Sequence, residues 1–370
     1  MNELKDIEAW LQAEIAPQAE EIDQNPEKLF KAFQQLGDRD LLALRLPLGD
    51  GGRAWTQEQE SQFQILLSSY SGALAFLATQ HQSASRMIAA CDNPSLKNKC
   101  LSNLISARMG CGVGFSHLRR QGEPMVTAAP TQHGFALTGT VPWVTGYQCF
   151  DGFICGAVLP DGRFVMGWVP LTHDLAQGLS ISEPLDLAAM GVTQTVALKL
   201  SHYSLSHEDV LAVHPPNWLK EKDRVNTLHH GFYALGAARG ALRLMNQWQE
   251  QFQPEPVILN AIASFQDEYD QCEARMLALL PLRQSLPEEC LQAKARVNSL
   301  AGRLAQAAVA LVGGGANSMQ NSAQRIYREV LAFTVFGQTH DAKLATLAAL
   351  SASASSQVSS HPSPAQGVEV

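Results

Sequence analysis

Leu4, Ile7, Leu11 and Ile15 recur at helical spacing with Glu and Lys between them, so the chain is expected to open on an amphipathic helix that Pro17 ends or bends. Residues 29–36 predict a second short helix, and the breaker-rich RLPLGDGG at 45–52 predicts a loop. Thr56 is placed to cap a long helical stretch running toward Ala90, with Glu58 and Glu60 in its first turn. Residues 1–110 therefore read as a helical domain. The texture then changes: over 111–214, short β-forming runs alternate with turn signals, among them GFALTGTVPWVTG (134–146) and TVALKLSHYSL (195–205). Pro160-Asp161-Gly162 predicts a hairpin turn, since proline presets the first turn dihedral and glycine accepts a left-handed one. These runs predict an antiparallel β-domain.

After Pro215-Pro216 the period returns to helical, in four Ala/Leu-rich stretches with short links that predict an antiparallel four-helix bundle over 215–350. The last twenty residues, 351–370, are rich in Ser, Ala and Pro and predict a disordered tail. The fold class read from the pattern is α+β: an N-terminal helical domain, a middle antiparallel β-domain and a C-terminal four-helix bundle.

Composition narrows the choice of partners. Hydrophobic residues make up 46% and charged ones 17%, with a net charge of −8, and no basic cluster stands out beyond Arg119-Arg120. A nucleic-acid partner is not expected. The first residues lack a basic stretch followed by an apolar core, and no apolar run reaches membrane-spanning length, so a cytoplasmic enzyme without a membrane span is expected. Seven scattered cysteines without a CxxC pair fit reduced, buried thiols, and no metal-ligand cluster stands out.

Specific chemistry enters through residue patterns. GFALTGTVPWVTG, followed by EPLDLAAMGVTQTVALKLSHYSLSHEDVL (183–211), resembles the β-domain of the acyl-CoA dehydrogenase family, and VGGGANSMQNSAQRIYREV (312–330) resembles its paired-glycine segment and following arginines. The resemblance covers nearly the whole chain except the tail. It implies a flavoprotein oxidoreductase that binds FAD, with FMN as the alternative, acts on a small-molecule substrate such as an acyl thioester, and assembles as a homotetramer or homodimer. Trp143 matches the family's tryptophan against the flavin and Thr145 its hydroxyl near N5; Ser116 survives from the pyrimidine and pyrophosphate loop, where the glycines of MGCGVGFSH (109–117) permit close backbone approach to a ligand. Phe252 matches the aromatic of R-x-x-F, Gly313 and Gly314 match the paired glycines, and Thr339 matches the threonine of I-Y-E-G-T.

The same register sets Gly337 on the glutamate that removes the α-proton, and glycine has no group to accept one. Some family members carry that glutamate on a neighbouring helix, at the place of Asn226-Thr227, and Asp223 is the nearest carboxylate here. Gln249 and Ala310 replace the family's arginine and glutamine for the ADP half of FAD, which takes away a bidentate partner for pyrophosphate. Three readings follow: a desaturating dehydrogenase with its base elsewhere; a reduced-flavin monooxygenase or oxidase of the same fold, with His81 and His340 as candidate catalytic groups; and a non-catalytic binding protein. The plainer roles are a helix-face residue for His81 and a helix N-terminal residue for His340. His229 and His230 are further pocket candidates, of which adjacent helical positions let at most one point inward.

Overall fold

A computed structural model describes residues 2–358. The opening helix α1 (Asn2–Trp10) continues through a π-helical turn, Leu11–Ile15, into α2 (Ala19–Gln24) and α3 (Pro26–Gly37). The predicted Thr56 cap forms a capping box with Gln59 and starts α4 (Gln57–Tyr70). One long helix toward Ala90 was expected, but the chain breaks at Ser71, whose extended backbone and side chain cap α5 (Gly72–Ala90). The break lets Gly72 N–H donate to the buried Glu329 carboxylate at 2.9 Å, a partner 257 residues away that the local pattern could not reveal. α6 (Pro94–Ile105) completes the helical unit.

Eight strands follow: β1 (Cys111–Gly114), β2 (Val126–Thr131), β3 (Gly134–Val144), β4 (Gly152–Val158), β5 (Phe164–Pro170), β6 (Leu179–Ile181), β7 (Val196–Ser206) and β8 (Val210–His214). Their order is β6-β7-β3-β2-β4-β5-β8, with β1 on β4. The predicted hairpin joins β4 to β5 with Gly162 at φ +83°. Antiparallel pairing dominates, as expected, but the sheet is mixed: β1 runs parallel to β4, and β2 meets β4 in parallel at Thr127–Val158. β1 enters from the helical domain and packs on α5, so its direction is set by that connection and not by a hairpin. β4, covered on both faces, is a continuous apolar run, whereas β7 alternates between buried and solvent-facing positions.

The C-terminal unit comprises α7 (Trp218–Val225), α8 (Gly231–Gln251), α9 (Pro256–Leu279), α10 (Pro287–Val312), α11 (Ser322–Val335) and α12 (His340–Val358). α8, α9 and α10 pack on one another, and α11 and α12 return along α10. Residues 351–358, expected in the tail, continue α12; the rest of that expected tail, 359–370, lies outside the described residues. All seven cysteines are buried and free. No helix among the described residues is long and apolar enough to cross a membrane.

Candidate active site

At the end of β3 a register shift against β7 between Val141 and Val144 breaks the strand alternation, so that both valines are buried while Trp143 between them is 45% exposed. Thr145, just past the strand, is buried with its hydroxyl 3.0 Å from that of Thr195. Gly146 N–H donates to Thr193 C=O at 2.9 Å and Tyr147 N–H to Gln194 C=O at 3.1 Å, so the chain leading into β7 anchors this corner. Thr195 was not singled out by sequence reasoning; the hydroxyl-rich TQT at 193–195 was its only signal. Ser116 is exposed at the head of the 3-10 turn Ser116–Arg119, which lies against β3 and β4. The β1 glycines act differently from the expectation. A Cβ on Gly112 would meet Thr145 C=O at 3.0 Å, and one on Gly114 would meet Val144 Cγ2 at 2.9 Å. Their small size seats β1 against the protein's own β3 end.

α5 links this corner to the bundle. His81, expected as a candidate acid or base, is fully buried; its Nε2 lies 2.9 Å from Leu104 C=O, and its Nδ1 accepts from Cys111 N–H at 3.3 Å. Burial pushes its pKa down to about 4, so it is a neutral structural link between α5, α6 and β1. Five residues earlier, about 7 Å along the helix, Phe76 packs edge-on against Phe336 at 5.1 Å.

Phe336 and Gly337 form the turn after α11. Gly337 has φ +58°, a left-handed conformation that glycine adopts without a Cβ penalty. A Cβ there would lie 2.2 Å from His230 Nδ1 and 2.4 Å from Cε1. The imidazole thus occupies the volume that a residue-337 side chain needs. The ring stands 4.5 Å from Phe336 and 5.3 Å from His229, both edge-to-face. The two histidines stand in the turn between α7 and α8 and not at the helical positions expected, and His229 Nδ1 lies 3.3 Å from Gln64 Nε2 on α4. Lys294, 2% exposed on α10, donates to Phe336 C=O and Gly337 C=O, both at 3.2 Å. Desolvation lowers its pKa to about 8. A lone lysine in the Ala-rich QAKARV was the only sequence signal for it. Asp223, the nearest carboxylate noted from sequence, is engaged by Arg119 in a bidentate pair with both contacts at 2.7 Å, tying α7 to the β-domain.

Thr339 caps α12, its hydroxyl accepting from Ala342 N–H at 3.2 Å, and His340 is exposed on that helix's first turn. The remaining expected residues are elsewhere. Phe252 ends α8, exposed, its ring tilted against that of Trp248 at 4.8 Å; Gly313 ends α10 at φ +71°, and Gly314 is exposed beside it. The opposite ends of α8 and α10 meet near His230, where the Cβ position of Gly231 lies 3.6 Å from Lys294 Cγ. Phe252 and Gly313 are therefore a helix length, about 30 Å, from Gly337 and Thr339 within one chain. Gln249, in the arginine position, donates its amide to Asn246 Oδ1 at 2.9 Å. A cavity of about 800 Å³ lies between α3, the α6–β1 link and the loop after Thr145, lined by Phe30, Asp38, Tyr147, Phe150 and His173, and includes none of the expected site residues. Among the described residues no group of three or more His, Cys, Asp or Glu could hold a metal ion.

Residues 4–108 match the family model "Acyl-CoA dehydrogenase, N-terminal domain". Acyl-CoA dehydrogenase from Bacillus anthracis, complexed with FAD, is similar over 96% of this chain and 67% of its own, with TM-score 0.80 and 18% identity. Glutaryl-CoA dehydrogenase from Mycobacterium smegmatis, in complex with FADH2, is similar over 95% of each chain, with TM-score 0.79 and 18% identity. Butyryl-CoA dehydrogenase from Megasphaera elsdenii is similar over 94% of this chain and 96% of its own, with TM-score 0.77 and 16% identity. No curated protein matches by sequence. The chain thus has the acyl-CoA dehydrogenase fold, and its N-terminal domain belongs to the family of that domain, in agreement with the resemblance read from its motifs.

Proposed function

We propose that this protein is a flavin-dependent oxidoreductase that dehydrogenates an acyl thioester or a related small molecule. The observation that supports this best is the corner at the end of β3: an open indole, Trp143, beside the buried hydroxyls of Thr145 and Thr195. An exposed indole with no core to fill fits an aromatic wall for a flat conjugated ring, and a fixed hydroxyl pair fits a donor to one of its edge atoms. Bound flavin would supply hydride acceptance; the chain supplies the wall, the hydroxyl and a dry turn at Phe336-Gly337. Exclusion of water there rests on Phe76 and Tyr233, whose rings pack 5.1 and 5.7 Å from that of Phe336.

Gln249 offers no cation to the ADP half of FAD, and Phe252 with Gly313-Gly314 stands far from the Phe336-Gly337 turn of the same chain. A second copy would have to bring its own Phe252 and glycines to complete the site, which supports a homodimer or homotetramer. The missing cation also favours a second reading, a reduced-flavin monooxygenase or oxidase that uses FMN or weakly held FAD.

Absorbance of the purified protein, with extraction and identification of its flavin, tests the proposal. Flavin binding that weakens at least tenfold in Trp143→Ala is expected. Flavin bound only when reduced, with oxygen uptake, would favour the second reading. No binding of FAD or FMN in either redox state would leave a non-catalytic protein.

A further inference from the structure

Resting on the dehydrogenase reading above, we propose that His230 is the catalytic base, taking the α-proton of an acyl thioester from the volume that a side chain at 337 would fill. The first observation is steric: His230 Nδ1 lies 2.2 Å from the Cβ position of Gly337, so ring and side chain are alternatives for one space. The second is the freedom of the ring. His81, His117 and His229 each have a nitrogen engaged by a protein group. His230 has no hydrogen-bond partner on either nitrogen among the described residues, although it is half-buried. A half-buried imidazole without a partner is poised for a group that arrives from outside the chain.

The surroundings suit a proton acceptor. Phe336 and His229 fix the ring plane edge-on, and Lys294 clamps the facing turn through two carbonyls. Burial, with Lys294 as the next cause, keeps the imidazole pKa well below its ordinary value, so the ring enters the reaction unprotonated. In the step, a His230 nitrogen forms a bond to the α-proton. The α-C–H electron pair becomes the new Cα=Cβ bond, and the β-hydrogen leaves with its two electrons to oxidised flavin. The thioester is oxidised and the flavin reduced; the negative charge that reaches the flavin offsets the new imidazolium.

The test uses the full-length flavin-loaded protein and its His230→Gln and His230→Ser variants, with anaerobic bleaching of flavin by butyryl-, glutaryl- and palmitoyl-CoA. Wild type is expected to bleach with at least one thioester. Both variants are expected to bind flavin with unchanged affinity and to bleach at least a hundredfold more slowly. In parallel, diethyl pyrocarbonate labelling followed by peptide mass spectrometry should modify His230 well before His81, with the label suppressed when flavin and thioester are both bound. Bleaching by both variants within threefold of wild type would overturn the assignment, as would an unlabelled His230 or wild-type flavin that none of the thioesters bleaches. A wild-type protein that binds no flavin would instead remove the dehydrogenase reading itself, and this assignment with it.

Discussion

Buried histidines make this chain acid-sensitive in a definable window. His81, His117 and His229 each have a pKa lowered by burial to about 4 from an ordinary 6.5. The native state therefore binds fewer protons than the unfolded chain between these values, so stability is present above pH 6.5 and is lost as pH falls toward 4. Lowering one such pKa by a single pH unit is worth roughly 1.4 kcal/mol between the two protonation states. The urea midpoint is expected to fall between pH 7 and pH 5, and to fall less in a His81→Gln/His117→Gln variant; a midpoint flat across that range would contradict the assignment of neutral buried rings. Trp143, Thr145 and Gly337 were singled out by the resemblance of their motifs to the family's, which marks a position and not the packing around it. What His81 does was not legible. A histidine on an apolar helix can meet a ligand or a backbone carbonyl, and only the packing of α6 and β1 selects the carbonyl.

Between elements, the firmest joint is ionic. Arg325 on α11 pairs with Glu329 at 2.8 Å and with Glu20 of α2 at 3.3 Å, and Glu329 also accepts from Gly72 at the head of α5. Both partners of the Arg325–Glu329 pair are nearly inaccessible, with side-chain exposures of 5% and 2%. Removing one member of such a pair strands a buried charge, at a cost of about 3–5 kcal/mol. Arg325→Met is expected to lower the melting temperature markedly, and Arg325→Met/Glu329→Gln to recover part of the loss, both read by calorimetry. Additive losses would show that the two groups do not act as a pair. The same joint sits where one expected helix became two: Ser71 caps α5 through its own side chain, and the break leaves Gly72 N–H to a carboxylate from the far end of the sequence.

For the whole molecule, α11 and α12 leave an apolar face uncovered. Tyr327, Leu331 and Val335 recur every four residues on α11, and Leu344 and Leu347 stand exposed on α12. Residues at such spacing on an otherwise solvent-facing helix fit a second copy of the chain, which would also bring Phe252 and Gly313 to a neighbour's site. Light scattering is expected to give a multiple of 40.2 kDa, and Leu331→Glu/Val335→Glu to shift the protein toward the monomer with loss of flavin affinity. A wild-type monomer that binds flavin tightly would rule the arrangement out.

The three-part order and the Pro160-Asp161-Gly162 hairpin were set by local pattern, since periodicity and turn chemistry act over a few residues, whereas the absence of a carboxylate at Gly337 was implied by the resemblance of its motif to the family's. Tertiary structure decided the rest. The parallel seat of β1 on β4, the break at Ser71, the clamp of Lys294 on the Phe336-Gly337 turn and the entry of the His230 ring into the space beside Gly337 each join residues distant in sequence. Such contacts depend on where whole elements pack, and no window of the sequence carries that information.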